Sequence, residues 1–196
     1  KPAAEKEFAE LTAFAKELDG IDHLEKWDGS YYSEKLKQKL FNLDDEKLKP
    51  YFKLENVLNG AFIIANKLFG LKFTEVFDIE KYHKDVTTYE VTDENNELVA
   101  VFYADFFPRK GKRNGAWMTS YKSQSIRNGK NDRPHISNVC NFTPPTSTKP
   151  SLLTFNEVTT LFHEFGHGLH GMLANTVYPS LSGTSVFWDF VELPSQ

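Results

Sequence analysis

Cysteine is nearly absent from this sequence, since Cys140 is the single cysteine in 196 residues. One cysteine excludes an internal disulfide and a closed metal site built from several thiolates. It also fits a reducing compartment. Because Cys140 lies in an apolar, strand-like stretch, we expect a buried structural thiol rather than a nucleophile.

Long apolar runs and a strong charge of either sign are also absent. No stretch of about 18 apolar residues occurs, and the formal net charge is −4. Neither feature gives a reason to expect a membrane or a nucleic acid as a partner. The one positive cluster, at residues 109–113, contains a glycine, and we interpret it as a solvated surface loop rather than a phosphate-binding site.

What the chain does contain is the motif HExxH, formed by His163, Glu164 and His167. Two histidines four residues apart on a helix share a face, so both imidazoles can reach one metal ion. Glu164 stands about 100° round the helix from the first histidine. That position suits a general base for a water activated by the metal.

The context of the motif is an amphipathic helix. Thr154 and Glu157 form a capping box, which predicts a helix that begins near Phe155. Six apolar residues form a stripe that should face a core: Val158, Leu161, Phe162, Phe165, Leu169 and Met172. Three glycines each cost about 1 kcal/mol relative to alanine: Gly166, Gly168 and Gly171. Close approach of another backbone or a substrate would explain them, and so would tight packing.

A catalytic zinc needs three protein ligands and one open position. After a turn at residues 182–184, the pattern predicts a short helix on which Asp189 and Glu192 share a face. Glu192 is the candidate third ligand, and His170 is the alternative, although it points partly away from the histidine pair. Asp189 is either a hydrogen-bond partner of a ligand imidazole or a surface charge.

Several stretches carry a family resemblance. LFHEFGHGLH (161–170), SGT (182–184) and DFVELPSQ (189–196) resemble the thimet-oligopeptidase family of zinc metallopeptidases. Upstream, LKPYF (48–52), GAWM (115–118) and NVCN (138–141) resemble its bacterial peptidyl-dipeptidase branch, with the oligopeptidase A branch next. The resemblance runs over nearly the whole chain, and its motifs are highly specific.

The resemblance implies a role for each candidate residue. His163, His167 and Glu192 would bind one Zn²⁺ per chain, and Glu164 would be the catalytic base. The enzyme would be cytoplasmic and act on short peptides, releasing dipeptides from the free C-terminus if the branch assignment holds. We expect a monomer.

Members of this family are much longer than this chain, which opens on Lys1 and stops at Gln196. We therefore expect a single partial catalytic domain over 1–196, a fragment of a larger helical enzyme. Its expected fold is α+β, mainly α: a zincin-like metallopeptidase core that is helical over 1–80, with a small sheet over 86–142 and zinc-binding helices over 154–196. Because relatives stabilise the oxyanion with residues of a further helical region, the fragment alone should be inactive.

The expected elements follow from periodicity and turn residues. We predict helices at 4–18, 31–41, from Asp44 to before Pro50 and at 57–69, a hairpin of 86–92 and 98–107, and a strand at 136–142. A peptide substrate would bind as an added strand at a sheet edge, provided by the hairpin or by 136–142.

Two functions remain open for this set of residues. In a peptidase, zinc lowers the pKa of its water toward about 7 and polarises the scissile carbonyl, and Glu164 takes the proton and passes it to the leaving amine. The alternative is a catalytically silent zinc-binding fragment or a zinc-stabilised peptide-binding domain. A structural zinc would need a closed fourth ligand and would leave Glu164 without a purpose.

Overall fold

The computed structural model describes residues 1–42 and 45–196. Their contacts form two compact units, Lys1–Leu48 and Lys49–Gln196. The single partial domain expected over 1–196 stays a prediction. Within the described residues, no helix has both the length and the apolar character needed to cross a membrane.

The first unit is helical. It contains α1 (Pro2–Asp19), α2 (Gly29–Phe41) and the short α3 (Asp45–Leu48). The first helix ends as predicted, because Gly20 takes the left-handed conformation (φ 71°) that glycine adopts at little cost. A small core holds four buried residues: Phe14, Ala15, Leu24 and Tyr32. The predicted start of the third helix, Asp44, lies outside the described residues.

The second unit combines helices with a sheet. Its helices are α4 (Leu54–Phe69), α5 (Phe155–Met172) and α6 (Trp188–Val191). Its strands are β1 (Lys72–Glu75), β2 (Thr87–Thr92), β3 (Leu98–Asp105), β4 (Trp117–Lys122), β5 (Ser125–Arg127), β6 (Lys130–Asp132) and β7 (His135–Val139). The mixed α+β fold with a small sheet is confirmed. The expectation that residues 1–80 are helical is wrong at β1, which is a short strand because it pairs with β2.

The main sheet has the strand order β1-β2-β3-β7-β4, and β5 pairs with β6 separately. The predicted hairpin is confirmed as β2 and β3, and the predicted third strand as β7. β7 runs parallel to β3 and antiparallel to β4. The hairpin strands and β7 are therefore all internal, so the expectation that one of them offers a free edge is wrong. The edges are β1 and β4.

The main core lies where α4 and α5 pack on the sheet. All six residues of the predicted apolar stripe of α5 belong to this core or pack against it, which confirms the stripe. Aromatic rings fill the space between the layers: Phe62 stacks on Phe73 with centroids 4.1 Å apart, and Phe165 lies edge-on to Phe102. This packing fixes which side of α5 faces away from the core.

Candidate metal centre

The metal helix α5 begins where the capping box predicts. The backbone N–H of Glu157 donates to the Thr154 hydroxyl at 3.2 Å, and the N–H of Thr154 donates to the Glu157 carboxylate at 2.7 Å. These two bonds satisfy N–H groups that the first turn of a helix leaves without partners. With its start and its apolar stripe fixed, α5 presents the side chains of His163, Glu164 and His167 to one cavity.

Both explanations proposed for the glycines of α5 apply, because Gly166 allows the close approach of another backbone while Gly168 and Gly171 allow tight side-chain packing. A Cβ at Gly166 would lie 2.7 Å from Cα of Ser195, and a Cβ at Gly183 would lie 2.9 Å from Cα of Gly171. A Cβ at Gly168 would instead meet the Asn138 side chain at 2.8 Å. The chain that follows α5 therefore returns to lie directly against it.

This return brings three donor groups together. Nε2 of His163 and Nε2 of His167 lie 3.2 Å and 3.1 Å from Oε2 of Glu192. One ligand atom from each residue falls within 4.8 Å of the others. Two imidazole nitrogens and one carboxylate oxygen form a donor set that Zn²⁺ accepts. The residues present therefore fit a zinc ion, and their role as its ligands stays a prediction.

Glu192 follows α6 directly. The predicted short helix spans only Trp188–Val191, and Glu192 caps its C-terminal end before a 3₁₀ turn at Leu193–Ser195. The Ser195 hydroxyl donates to the backbone carbonyl of Glu192 at 2.8 Å and to its carboxylate at 3.2 Å. The position of the third donor therefore depends on this turn and on its contact with Gly166.

Glu164 is 7% exposed and lines the same cavity. Burial raises the pKa of its carboxyl group, while His163, His167 and the backbone N–H of Met118 oppose that rise. The carboxylate lies beside the donor group without belonging to it, which is the arrangement expected of a base that does not bind the metal.

The alternative ligand, His170, lies apart from this group. Its ring packs edge-on to Phe190 with centroids 6.2 Å apart, and it lines a neighbouring apolar cavity. Nδ1 of His167 is buried without a hydrogen-bond partner among the described residues, so Asp189 does not bond to that imidazole here, and its role beside the site stays a prediction.

Several residues around the centre were not predicted. Asn138 on β7 is buried and donates from Nδ2 to the backbone carbonyl of Glu164 at 2.5 Å. Trp117 and Trp188 line the cavity, which has a volume of about 380 Å³. Asn138 and Trp117 lie in the NVCN and GAWM stretches of the family resemblance, which gave no role for either residue, and Trp188 begins α6.

The expectation of a solvated loop at 109–113 is wrong at Lys112, because the side chain of this residue is only 3% exposed. Its ammonium donates to the carboxylate of Asp105 at 2.9 Å and to the carbonyls of Phe107 and Cys140. Cys140 is buried as predicted, and burial raises the pKa of its thiol to about 12. The loop is therefore held against the core by a buried lysine.

Comparisons with known proteins identify the family of this chain. The family model of peptidase family M3 matches residues 1–196. Oligopeptidase A of Escherichia coli strain K12 is 47% identical over 100% of this chain and 29% of its own length. Dipeptidyl carboxypeptidase of the same strain is 47% identical over 98% of the chain and 28% of its own length. A thimet-like oligopeptidase of Dictyostelium discoideum is 40% identical over 89% of the chain and 26% of its own length.

The chain thus spans less than a third of the length of these relatives. The equal identities to the two Escherichia coli peptidases do not separate the oligopeptidase A branch from the peptidyl-dipeptidase branch. The resemblance to the thimet-oligopeptidase family is confirmed, and the chain belongs to peptidase family M3.

Proposed function

We propose that this chain forms the zincin-like catalytic core of a zinc peptidase that hydrolyses short peptides. His163, His167 and Glu192 bind one Zn²⁺, and Glu164 is the general base. The observation that carries this proposal is the convergence of three ligand atoms within 4.8 Å, beside a buried carboxylate that lines the same cavity. The names of the relatives, all peptidases, support it.

The donor set suits catalysis rather than a purely structural site. When bound, zinc supplies Lewis-acid chemistry, which lowers the pKa of a coordinated water and polarises a carbonyl group. Among the described residues, the group of possible ligands has three members, and a structural zinc is almost always held by four. The zinc-stabilised binding domain also gives the buried Glu164 no function.

Glu164 is placed to move protons during peptide hydrolysis. Its carboxyl group lines the cavity beside the three proposed ligands, where a general base must stand to reach a water held there. In its ionised form it takes a proton from the attacking water, and it then delivers that proton to the leaving amine.

The substrate reaches this centre along β4. Ala116, Trp117 and Met118 line the cavity opposite the metal helix, and β4 is an edge strand. An extended peptide can add to such an edge through backbone hydrogen bonds, which do not demand a particular sequence.

Metal analysis combined with a peptide assay tests the proposal. The protein should contain one zinc per chain, lose it to a chelator and regain it from added Zn²⁺. Hydrolysis of an internally quenched peptide, measured on the intact gene product, should follow the zinc content. Hydrolysis at full rate in metal-free protein would refute the proposal.

A further inference from the structure

The edge strand β4 gives a direction to the peptide that would bind beside it. Among the described residues, β4 pairs only with β7, so its outer edge is open. Antiparallel pairs are the more common kind and slightly the more stable. A peptide antiparallel to β4 runs from the Lys122 end toward the Trp117 end. Its residues on the carboxyl side of the cleaved bond then pass residues 113–115.

The cleaved bond would lie a short distance from residues 113–115. The metal cavity is lined by the first residues of β4, so the cleaved bond lies near them. A strand advances about 3.3 Å per residue, which puts a C-terminal carboxylate two residues further on roughly 7 Å away. The guanidinium of Arg113 lies at that end, with Cζ 4.6 Å from the ring centroid of Trp117. Trp117 itself lines the metal cavity.

The surroundings of Arg113 carry an excess of positive charge. A second cavity, of about 480 Å³, shares Trp117 with the metal cavity. Three cationic side chains line it, those of Arg109, Lys112 and Arg113, and Asp105 is its one carboxylate. Arg109 forms two hydrogen bonds with that carboxylate, and Lys112 is saturated by oxygen acceptors. Arg113 has no carboxylate partner among the described residues.

The backbone that carries Arg113 is already fixed. Nδ2 of Asn141 donates to the carbonyl of Arg113 at 3.0 Å and to that of Gly115 at 2.7 Å. Lys112, the residue before Arg113, is held in place by the bonds of its buried ammonium group. A ligand that meets Arg113 therefore has little loop ordering to oppose its binding.

Building on the proposed function, we propose that Arg113 binds the free C-terminal carboxylate of the peptide substrate. An arginine presents paired N–H donors that match the two oxygens of a carboxylate. The site would then favour peptides whose C-terminus lies about two residues beyond the cleaved bond. Arg113 is the specificity-determining residue in this arrangement, and its guanidinium is held over the ring of Trp117.

Product binding tests this assignment without any turnover. Calorimetric titration of the zinc-loaded protein compares the dipeptide Ala-Phe with its C-terminal amide. We expect the acid to bind about tenfold more tightly than the amide, and Arg113→Gln to remove that preference. Arg113→Lys should retain part of it, since the charge remains without the paired geometry. Arg127→Gln, an exposed arginine of β5, is the matched control and should keep the full preference.

Equal affinities for acid and amide in the unaltered protein, including no measurable binding of either, would overturn the assignment. So would an unchanged preference in Arg113→Gln with a native circular dichroism spectrum. Cleavage of internally quenched peptides with free or amidated C-termini separates this inference from the proposed function. If both peptides are hydrolysed at the same rate, only the role of Arg113 is refuted. If no zinc-dependent hydrolysis of either peptide is found, the peptidase proposal is refuted.

Discussion

Gly166 lies directly against the backbone of Ser195. A Cβ at Gly166 would come within 2.7 Å of Cα of Ser195 and within 2.8 Å of the carbonyl oxygen of Pro194. The two segments in contact are the helix that carries both histidines and the turn that follows Glu192. This contact therefore sets the distance between the two parts of the candidate metal site.

Gly166→Ala should weaken zinc binding without removing any ligand. The added methyl group must displace the turn after Glu192, so zinc affinity should fall by about tenfold and the free energy of unfolding by about 1–3 kcal/mol. Gly60→Ala in α4 is the matched control, because a Cβ there meets nothing within 4 Å, and it should stabilise the protein by up to about 1 kcal/mol. Chelator competition and urea unfolding measure both quantities. Unchanged zinc affinity in Gly166→Ala would contradict this role.

Glu164→Gln should separate catalysis from metal binding. The substitution removes the base and keeps all three proposed ligands, so zinc stoichiometry should hold while peptide hydrolysis falls by several orders of magnitude. The assay is made on the intact gene product, with zinc measured on the same samples. More than a tenth of the original activity would show that Glu164 is not the base.

Removal of the third proposed ligand should, in contrast, weaken zinc binding itself. Glu192→Ala deletes a proposed donor atom 3.1 Å from Nε2 of His167, so zinc affinity itself should drop sharply. His170→Ala is the comparison, since His170 lies outside the donor group, and it should leave zinc affinity nearly unchanged. If His170→Ala removes the metal and Glu192→Ala does not, the third ligand is His170.

The parts of this structure that the sequence predicted depend on local signals. The start of α5 follows from a hydrogen bond pair between Thr154 and Glu157, and the β2–β3 hairpin follows from alternation around a tight turn with Asn96 at φ 63°. In each case the interacting residues are close in sequence. Residue type and spacing were therefore sufficient.

The parts that were missed depend on distant partners. β4 is a strand because Trp117 pairs with Val139 on β7, which enters the sheet between β3 and β4. Strand formation of this kind reflects cross-strand neighbours more than intrinsic preference. Lys112 is buried because its ammonium bonds to Asp105 and to the carbonyls of Phe107 and Cys140, and Cys140 is 28 residues away in the sequence. The site shows the same difference. The HExxH motif lies within five consecutive residues, whereas the cavity lined by Trp117 and Trp188 forms from segments that are distant in the sequence.

The cluster that anchors the basic loop predicts a pH-dependent stability. Burial alone would raise the pKa of Asp105, but hydrogen bonds from Arg109 and Lys112 outweigh it and hold the pKa below its usual value. A carboxyl group with a lowered folded-state pKa stabilises the fold above its unfolded value of about 3.9. That contribution is lost as the pH falls through the folded-state pKa.

Asp105→Asn should therefore lower the free energy of unfolding at pH 7 by about 3–5 kcal/mol, because it leaves Lys112 buried without its counter-charge. The difference from the unaltered protein should shrink below about pH 4. Asp132→Asn is the control, since its contact with Lys122 spans 3.6 Å at the surface and should be worth less than about 1 kcal/mol. Urea unfolding followed by circular dichroism at pH 7 and at pH 3.5 provides the comparison. A loss of equal size at both pH values would mean that Asp105 stabilises the loop through its shape and neutral hydrogen bonds, and not through its charge.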